Sequence, residues 1–154
     1  VDVRFAADGK SAAAVDEAFQ IFVLDLANDE QTSWPDPSRS ARAAVLSPDK
    51  RLLLTFGKSN DIELWDVNQK KLLRKLSGHD GMVVEALFTS DGRILSIGVD
   101  KTLRAWDAAN GEQVEKINLP EAPSCLKLSP DGRFVATASQ AGANATIQLW
   151  RIGK

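Results

Sequence analysis

The chain has 154 residues, of which 44% are hydrophobic and 26% are charged, and its formal net charge is −2. This composition is typical of a globular domain with a sizeable core. It provides no broad positive surface for nucleic acid, and no apolar run approaches the roughly 20 residues that cross a membrane. We therefore expect neither nucleic acid nor a membrane as a partner. The single cysteine, Cys125, excludes an internal disulfide, and we expect it to be a buried structural thiol.

Two sets of short motifs recur along the chain at intervals of about forty residues. The first set is Ala7-Asp8-Gly9, Pro48-Asp49-Lys50, Ser90-Asp91-Gly92 and Pro130-Asp131-Gly132, with aspartates 41, 42 and 40 residues apart. The second set is Leu24-Asp25, Trp65-Asp66, Trp106-Asp107 and Trp150-Arg151, at steps of 41, 41 and 44 residues. Asp and Gly favour tight turns, and two sets in register four times indicate an internal repeat. The longer last step falls at residues 140–144, which we predict to form a loop.

The third repeat shows what each unit contains. Val83–Phe88, Ile94–Ile97 and Leu103–Trp106 are short apolar runs bounded by Gly and Asp. Runs of this length, rich in branched side chains, predict strands rather than helices. The short turns between them predict an antiparallel meander.

Gly78-His79, the Ser/Pro-Asp-Gly turn and the Trp-Asp pair at this period resemble the WD-repeat β-propeller family. The resemblance covers nearly the whole chain and is most specific in the third repeat. It implies an all-β fold of about four blades, each a four-stranded antiparallel sheet.

On this resemblance, strands are expected in chain order in each blade. The first blade has Val1–Phe5, Ser11–Val15, Phe19–Leu26 and Asn28–Trp34; the second has Ala41–Leu46, Arg51–Phe56, Asp61–Val67 and Lys71–Leu76; the third has Met82–Phe88, Arg93–Ile97, Thr102–Asp107 and Gln113–Ile117; and the fourth has Pro123–Leu128, Arg133–Ala138 and Ala145–Ile152. The predicted blades span residues 1–34, 35–76, 77–118 and 119–154, and the last lacks its outer strand.

The predicted blades leave the ring incomplete. The chain begins in an inner strand without an initiator methionine and ends before a fourth outer strand. We therefore expect an excerpt of a longer propeller, whose remaining blades are partners of this segment. A small closed ring of four blades stays as the alternative.

The resemblance also implies a hydrogen-bond network in the third blade, formed by His79, Ser96, Asp100 and Trp106. A buried indole N–H needs an acceptor, which Ser96 provides; Ser96 donates to the imidazole, which donates to Asp100. A serine, a histidine and an aspartate also compose a hydrolase triad, but a nucleophile must be exposed beside an oxyanion site. Ser96 lies inside an apolar strand, so we expect a structural role and no catalytic residue.

The other blades depart from the network pattern. Equivalent positions hold Thr55 and Trp65 in the second blade, Thr137 and Trp150 in the fourth, and Ala14 and Leu24 in the first. Histidine is absent from all three. We expect these blades to depend more on packing.

Two further candidates have alternatives. Trp34 falls out of register with the other tryptophans and is either an exposed binding anchor or a cover for a sheet edge. The basic cluster of Lys70, Lys71, Arg74 and Lys75 either protects an outer strand from pairing or contacts a phosphate or nucleic acid.

No metal or cofactor is expected. Asp16-Glu17 and Asp29-Glu30 lack the further oxygen ligands and glycine spacing of a calcium loop. The sequence also lacks paired cysteines, a histidine cluster and a glycine-rich phosphate loop.

The resemblance implies a non-catalytic scaffold that binds a protein or peptide through loops at one face of the propeller. Those loops connect successive blades and the second and third strands of each blade. The residues expected to contact a partner are Lys58, Asp80, Met82, Lys101 and Gln140. The alternative is a propeller segment of a larger enzyme, or of a sensor fused to a kinase or protease. A cytoplasmic location is expected in either case.

Overall fold

The computed structural model describes residues 2–141 and 144–152, which form fifteen strands in four antiparallel sheets. The first sheet contains β1 (Asp2–Phe5), β2 (Ser11–Val15), β3 (Gln20–Asp25) and β4 (Glu30–Pro35). The second contains β5 (Ala41–Leu46), β6 (Leu52–Gly57), β7 (Asp61–Asp66) and β8 (Lys71–Ser77). The third contains β9 (Val83–Phe88), β10 (Arg93–Gly98), β11 (Thr102–Asp107) and β12 (Gln113–Asn118). The fourth contains β13 (Pro123–Leu128), β14 (Phe134–Ala141) and β15 (Asn144–Arg151).

Strands pair in chain order within every sheet, so the predicted all-β fold and antiparallel meander are confirmed. Among the described residues there is no helix that is long and apolar enough to cross a membrane. The prediction of a loop over residues 140–144 is wrong for residues 140, 141 and 144, which belong to β14 and β15. Gln140 pairs with Ala145, because the extra residues of the fourth repeat lengthen the β14–β15 ladder; residues 142 and 143 lie outside the described ranges.

The core lies between neighbouring sheets. Strands such as β6 and β11 are buried along nearly their whole length, because the second and third sheets each have a neighbouring sheet on both faces; this explains their continuous apolar sequences. Leu53 and Trp65 of the second sheet pack with Ile21 of the first. Equivalent apolar clusters join the second sheet to the third and the third to the fourth.

The four inner strands, β1, β5, β9 and β13, surround a central cavity of 490 Å³. Glu85 in β9 connects three of the sheets there: its carboxylate accepts hydrogen bonds from Arg4 Nη1 at 2.7 Å, from Lys127 Nζ at 2.7 Å and from Leu126 N at 2.8 Å. Burial alone would raise the pKa of Glu85, but these hydrogen bonds outweigh burial and lower the pKa. The carboxylate is therefore ionised where the sheets converge.

The four sheets form an incomplete ring. Val3 and Phe5 on the outward face of the first sheet are 55% and 71% exposed, and Ile147 and Leu149 on the outward face of the fourth are 73% and 72% exposed. A closed ring of four blades would cover both faces. The closed-ring alternative is therefore wrong.

Two expectations about single side chains need correction. Trp34 is buried against Trp65, with ring centres 6.4 Å apart, so an exposed anchor at Trp34 is wrong and the residue covers the sheet. Cys125 is only partly buried. It pairs with Ala138, which pairs with Ile147, so its side chain shares the uncovered face of the fourth sheet.

Candidate functional site

The third sheet brings His79, Ser96, Asp100 and Trp106 together. Trp106 Nε1 donates to Ser96 Oγ at 2.9 Å, and His79 Nε2 lies 2.8 Å from the same oxygen. His79 Nδ1 lies 3.0 Å from both carboxylate oxygens of Asp100. These distances fit an imidazole that accepts from the Ser96 hydroxyl and donates from Nδ1 to Asp100.

Asp100 accepts several further hydrogen bonds. The backbone N–H of Asp80 donates at 3.0 Å, Thr102 Oγ1 at 2.9 Å and Arg104 Nη2 at 3.2 Å. The Asp80 bond ties the loop that precedes β9 to the turn between β10 and β11. The network thus fixes two neighbouring loops on one sheet, as well as the sheet itself.

Burial and hydrogen bonding act in opposite directions on the network. Burial alone would raise the pKa of Asp100, but hydrogen bonds from the Asp80 N–H, His79 and Thr102 hold the pKa far below its ordinary value. For His79, burial lowers the pKa, and the nearby Asp100 only partly offsets that effect. At neutral pH the pair is therefore a neutral imidazole beside an ionised carboxylate.

Gly98 makes room for this pair. A Cβ at that position would lie 2.6 Å from His79 Nδ1 and 2.7 Å from Asp100 Oδ1, which is closer than non-bonded atoms approach. Only glycine allows the end of β10 to pass so close to the hydrogen-bonded atoms of His79 and Asp100.

The geometry argues against a nucleophilic role for Ser96. Its side chain is fully buried, and its oxygen is shared between the Trp106 indole and the His79 ring. A catalytic serine needs an exposed oxygen beside donors for an oxyanion. Ser96 instead satisfies a buried tryptophan.

The second sheet has a smaller network of its own, without a histidine. Trp65 Nε1 donates to Thr55 Oγ1 at 2.9 Å, and Glu63 Oε1 pairs with Lys75 Nζ at 3.1 Å. The Thr55 hydroxyl also approaches Glu63 Oε2 at 3.4 Å. Glu63 and Lys75 are direct cross-strand partners, so the register of β7 and β8 brings the two charges together.

The remaining sheets have less of this network. In the fourth, Trp150 Nε1 donates to Thr137 Oγ1 at 3.2 Å; Asn144, near the aspartate position, has no described side chain. In the first, Ala14 and Leu24 provide no polar group, and packing alone replaces the network there.

In the basic cluster, Arg74 Nη1 donates to Asn110 O at 2.7 Å, so Arg74 and Lys75 make contacts within the chain.

The connections that were expected to bind a partner lie at one edge of the sheets, because alternate connections of an antiparallel meander share an edge. We call this edge the loop face; it comprises residues 16–19, 36–40, 57–60, 78–82, 98–101 and 119–122. Backbone hydrogen bonds join its loops: Lys58 N donates to Ser40 O at 2.8 Å, and Val83 N donates to Ser59 O at 3.1 Å. Three sheets therefore contribute to one continuous surface.

Four of the five predicted contact residues lie in the loop face: Lys58, Asp80, Met82 and Lys101. Lys58 and Met82 lie on loops that the Val83–Ser59 hydrogen bond holds together, and Met82 is 50% exposed. Asp80 is exposed beside the network. Lys101 pairs with Glu121 at 3.2 Å, so its charge is already engaged. Gln140 lies near the end of β14, outside the residue ranges that define the loop face.

Sequence reasoning missed three residues in or beside the loop face. Arg42 is exposed at the start of β5, and the Phe19 ring contacts the cations of Lys58 and Arg39. Asp36 is buried, and its carboxylate accepts from the N–H groups of Ser38, Ser40 and Ala41. The Asp36-Pro37-Ser38 sequence was a usable signal for this turn, since Asp side chains bond the backbone that follows.

Antiparallel sheets arranged around a common axis, with a tryptophan of the third strand bonded to a hydroxyl of the second, define a β-propeller type of repeat protein. The family model "WD domain, G-beta repeat" matches residues 70–107 and 116–151. The chain therefore belongs to the WD-repeat family.

Three curated relatives show the extent of the similarity. The chain is 31% identical over 102 residues to human WD repeat-containing protein 36. This match covers 66% of this chain and 11% of that protein. It is 25% identical over 156 residues to Protein groucho of Drosophila melanogaster, covering 99% of this chain and 21% of that protein. It is 38% identical over 96 residues to the Periodic tryptophan protein 2 homolog of Schizosaccharomyces pombe, covering 61% and 11%. The matched region is thus a minor part of each relative's length.

Stability is expected to fall as the pH decreases through the range of histidine titration. The unfolded chain binds a proton at His79 near the ordinary pKa of 6.5, whereas the folded chain has a lower pKa. The contribution of neutral His79 to the free energy of unfolding is therefore complete above pH 6.5 and is lost progressively as the pH falls below it. Melting temperatures measured across this range check the prediction. His79 is the only histidine, so a His79→Gln variant should have a flatter profile; equal slopes in the two proteins would contradict it.

Proposed function

We propose that this chain is part of a WD-repeat scaffold whose loop face binds a protein or peptide partner. The WD repeats and the WD-repeat relatives support the scaffold role. The observation that carries the proposal is the joining of loops from three sheets by the backbone hydrogen bonds of Lys58 and Val83. A surface held in this way is preorganised, so little conformational entropy is lost when a partner binds.

The test is capture of partners from a lysate by the wild-type protein and by two variants. In the loop-face variant, Lys58, Asp80, Met82, Lys101 and Gln140 are changed to alanine together. In the control variant, five exposed residues at the opposite edge are changed to alanine: Lys10, Asn28, Pro48, Asn68 and Glu112. We expect the loop-face variant to lose proteins that the wild type and the control both retain. Equal capture by both variants, at equal melting temperatures, would remove the loop face as the binding surface.

The uncovered faces of the end sheets support a second part of the proposal: they receive further sheets of the same propeller. Val3 and Phe5 correspond by the 41-residue step to Ala44 and Leu46, which are 0% and 6% exposed. Ile147 and Leu149 occupy the places of Ile62 and Leu64, which are 0% and 1% exposed. The end faces therefore have the apolar residues that inner sheets bury, and each covered side chain contributes about 1.5–3 kcal/mol.

Without covering sheets, the isolated chain is expected to associate with itself through these faces. Light scattering over a range of concentrations measures the association. Charged substitutions at Phe5 and Leu149 should reduce it, since both side chains are more than 70% exposed; the same substitutions at exposed Asn28 and Asn68 provide the control. A monomer at every concentration would count against this part of the proposal.

A further inference from the structure

A groove crosses the loop face between the first three sheets. We call it the Arg42 groove and define it by Phe19, Arg42, Lys58 and Met82. Arg42 separates its two halves: one is a 420 Å³ cavity beside Phe19 and Lys58, and the other is a 310 Å³ cavity beside Met82. The first half is lined by charged groups, and the second is lined largely by apolar side chains.

A β-bulge positions Arg42. Ala41 pairs with Gly57 and Ala43 pairs with Phe56, so Arg42 is the extra residue on β5. Bulges redirect a side chain away from the ladder. Gly57 allows the close approach, because a Cβ there would lie 2.6 Å from the Cβ of Arg42. The equivalent bulges of the third and fourth sheets leave Val84 and Ser124 unpaired, so among these three bulges only that of the second sheet has a cation.

Two further cations lie against Phe19. Lys58 Nζ is 4.4 Å from the ring centre, and Arg39 Cζ is 5.3 Å from it, which are distances of cation–π contact. Phe19 has a φ of 61°, close to the 60° of Lys101 in the equivalent turn of the third sheet, so a left-handed turn conformation places its ring. The Asp36 N–H donates to Phe19 O at 2.8 Å and holds this turn against the loop of residues 36–40.

The charges of the groove indicate what it binds. Within residues 2–141 and 144–152, the Arg42 side chain makes no hydrogen bond or ion pair. An exposed guanidinium presents a planar fork that matches a carboxylate. Asp16 and Glu17 line the side of the first cavity, and their negative charge opposes a polyanion such as nucleic acid. The second cavity, with half-exposed Met82, has an apolar lining that suits an apolar side chain.

We infer that the Arg42 groove binds a peptide segment in which one carboxylate stands next to an apolar side chain. The carboxylate pairs with Arg42 and Lys58, and the apolar side chain enters the cavity beside Met82. Peptide N–H groups face Asp16 and Glu17. The inference rests on the proposed function of the loop face, and it adds the chemistry of the partner.

The test is selection of a phage-displayed library of random heptapeptides on the purified protein, followed by fluorescence anisotropy of labelled selected peptides. We expect the selected peptides to share an Asp or Glu beside Leu, Ile, Met or Phe. Arg42→Gln should weaken their binding by about 10- to 100-fold, the loss of a charge-assisted hydrogen-bonded pair. Met82→Gln should weaken it independently. Arg51→Gln, an exposed arginine at the opposite edge, is the matched control.

Each other outcome would overturn the inference: no enriched peptide, enriched peptides without an acidic residue, or equal binding to the wild type and Arg42→Gln. Tighter binding of a labelled oligothymidine than of any selected peptide would assign the groove to nucleic acid instead. The lysate experiment separates the two proposals. If the loop-face variant loses partners while Arg42→Gln retains them, the proposed function stands and the peptide inference fails.

Discussion

Replacement of Asp100 by alanine is expected to lower the free energy of unfolding by about 3–5 kcal/mol, the usual cost of removing one partner from a buried ion pair. The Asp100 and Arg104 side chains are 6% and 5% exposed and lie 3.2 Å apart. Without the carboxylate, the Arg104 guanidinium has no counter-charge, and His79 Nδ1 and the Asp80 N–H lose their acceptor. Urea denaturation measures the loss.

Asp80→Ala is the control for this prediction, because Asp80 is exposed and contributes to the network through its backbone N–H alone. Its substitution should change stability by less than about 0.5 kcal/mol. Asp100→Asn preserves the shape of the side chain and separates loss of charge from loss of volume. If Asp100→Ala costs no more than the control, the network does not stabilise the third sheet.

Replacement of Glu85 by alanine is expected to lower the free energy of unfolding by about 1–3 kcal/mol, the cost of leaving a buried donor unpaired. The Leu126 N–H loses its acceptor inside the ring. Arg4 and Lys127, which are partly exposed, regain water, so they add less to the loss. The effect should extend beyond the third sheet, because Arg4 belongs to β1 in the first.

Hydrogen exchange measures whether Glu85 couples the stability of the third sheet to that of the first and fourth sheets. In the Glu85→Ala protein, amide protection should fall in β1 and β13 as well as in β9. A double-mutant cycle with Arg4→Ala should give an interaction energy of about 0.5 kcal/mol or more. Glu115→Ala, at an exposed position of β12, is the control. Independent, additive effects of Glu85 and Arg4 would mean that the sheets are not joined through this carboxylate.

The repeat was predictable because its signals are local. Tight turns at Asp8, Asp49, Asp91 and Asp131 depend on the residues of the turn itself, and the spacing of the tryptophans follows from the length of one meander. The His79, Ser96, Asp100 and Trp106 set was predictable from the resemblance, since its residue types occur together only in the third repeat.

Other parts of the site depend on register and were not predictable. In the sequence, Glu63 and Lys75 have the pattern of ordinary exposed charges in two separate strands. Only the register of β7 and β8 places them directly opposite each other and makes them partners. Arg42 is marked by a bulge that one extra residue creates in the ladder. A period-two pattern contains no signal for such an insertion, so the groove on the loop face became visible only in three dimensions.

The amino-acid sequence by itself determined that the chain folds into repeated antiparallel sheets, and it identified the residues of one buried network. Tertiary structure alone decided how those sheets meet. Glu85 lies 81 residues from Arg4 and 42 from Lys127 along the chain, and Lys58 meets Phe19 across two sheets. Turn and strand preferences act over a few residues, whereas burial and charge pairing depend on which surfaces the ring brings together; for that reason the interaction surface is a property of the assembled sheets.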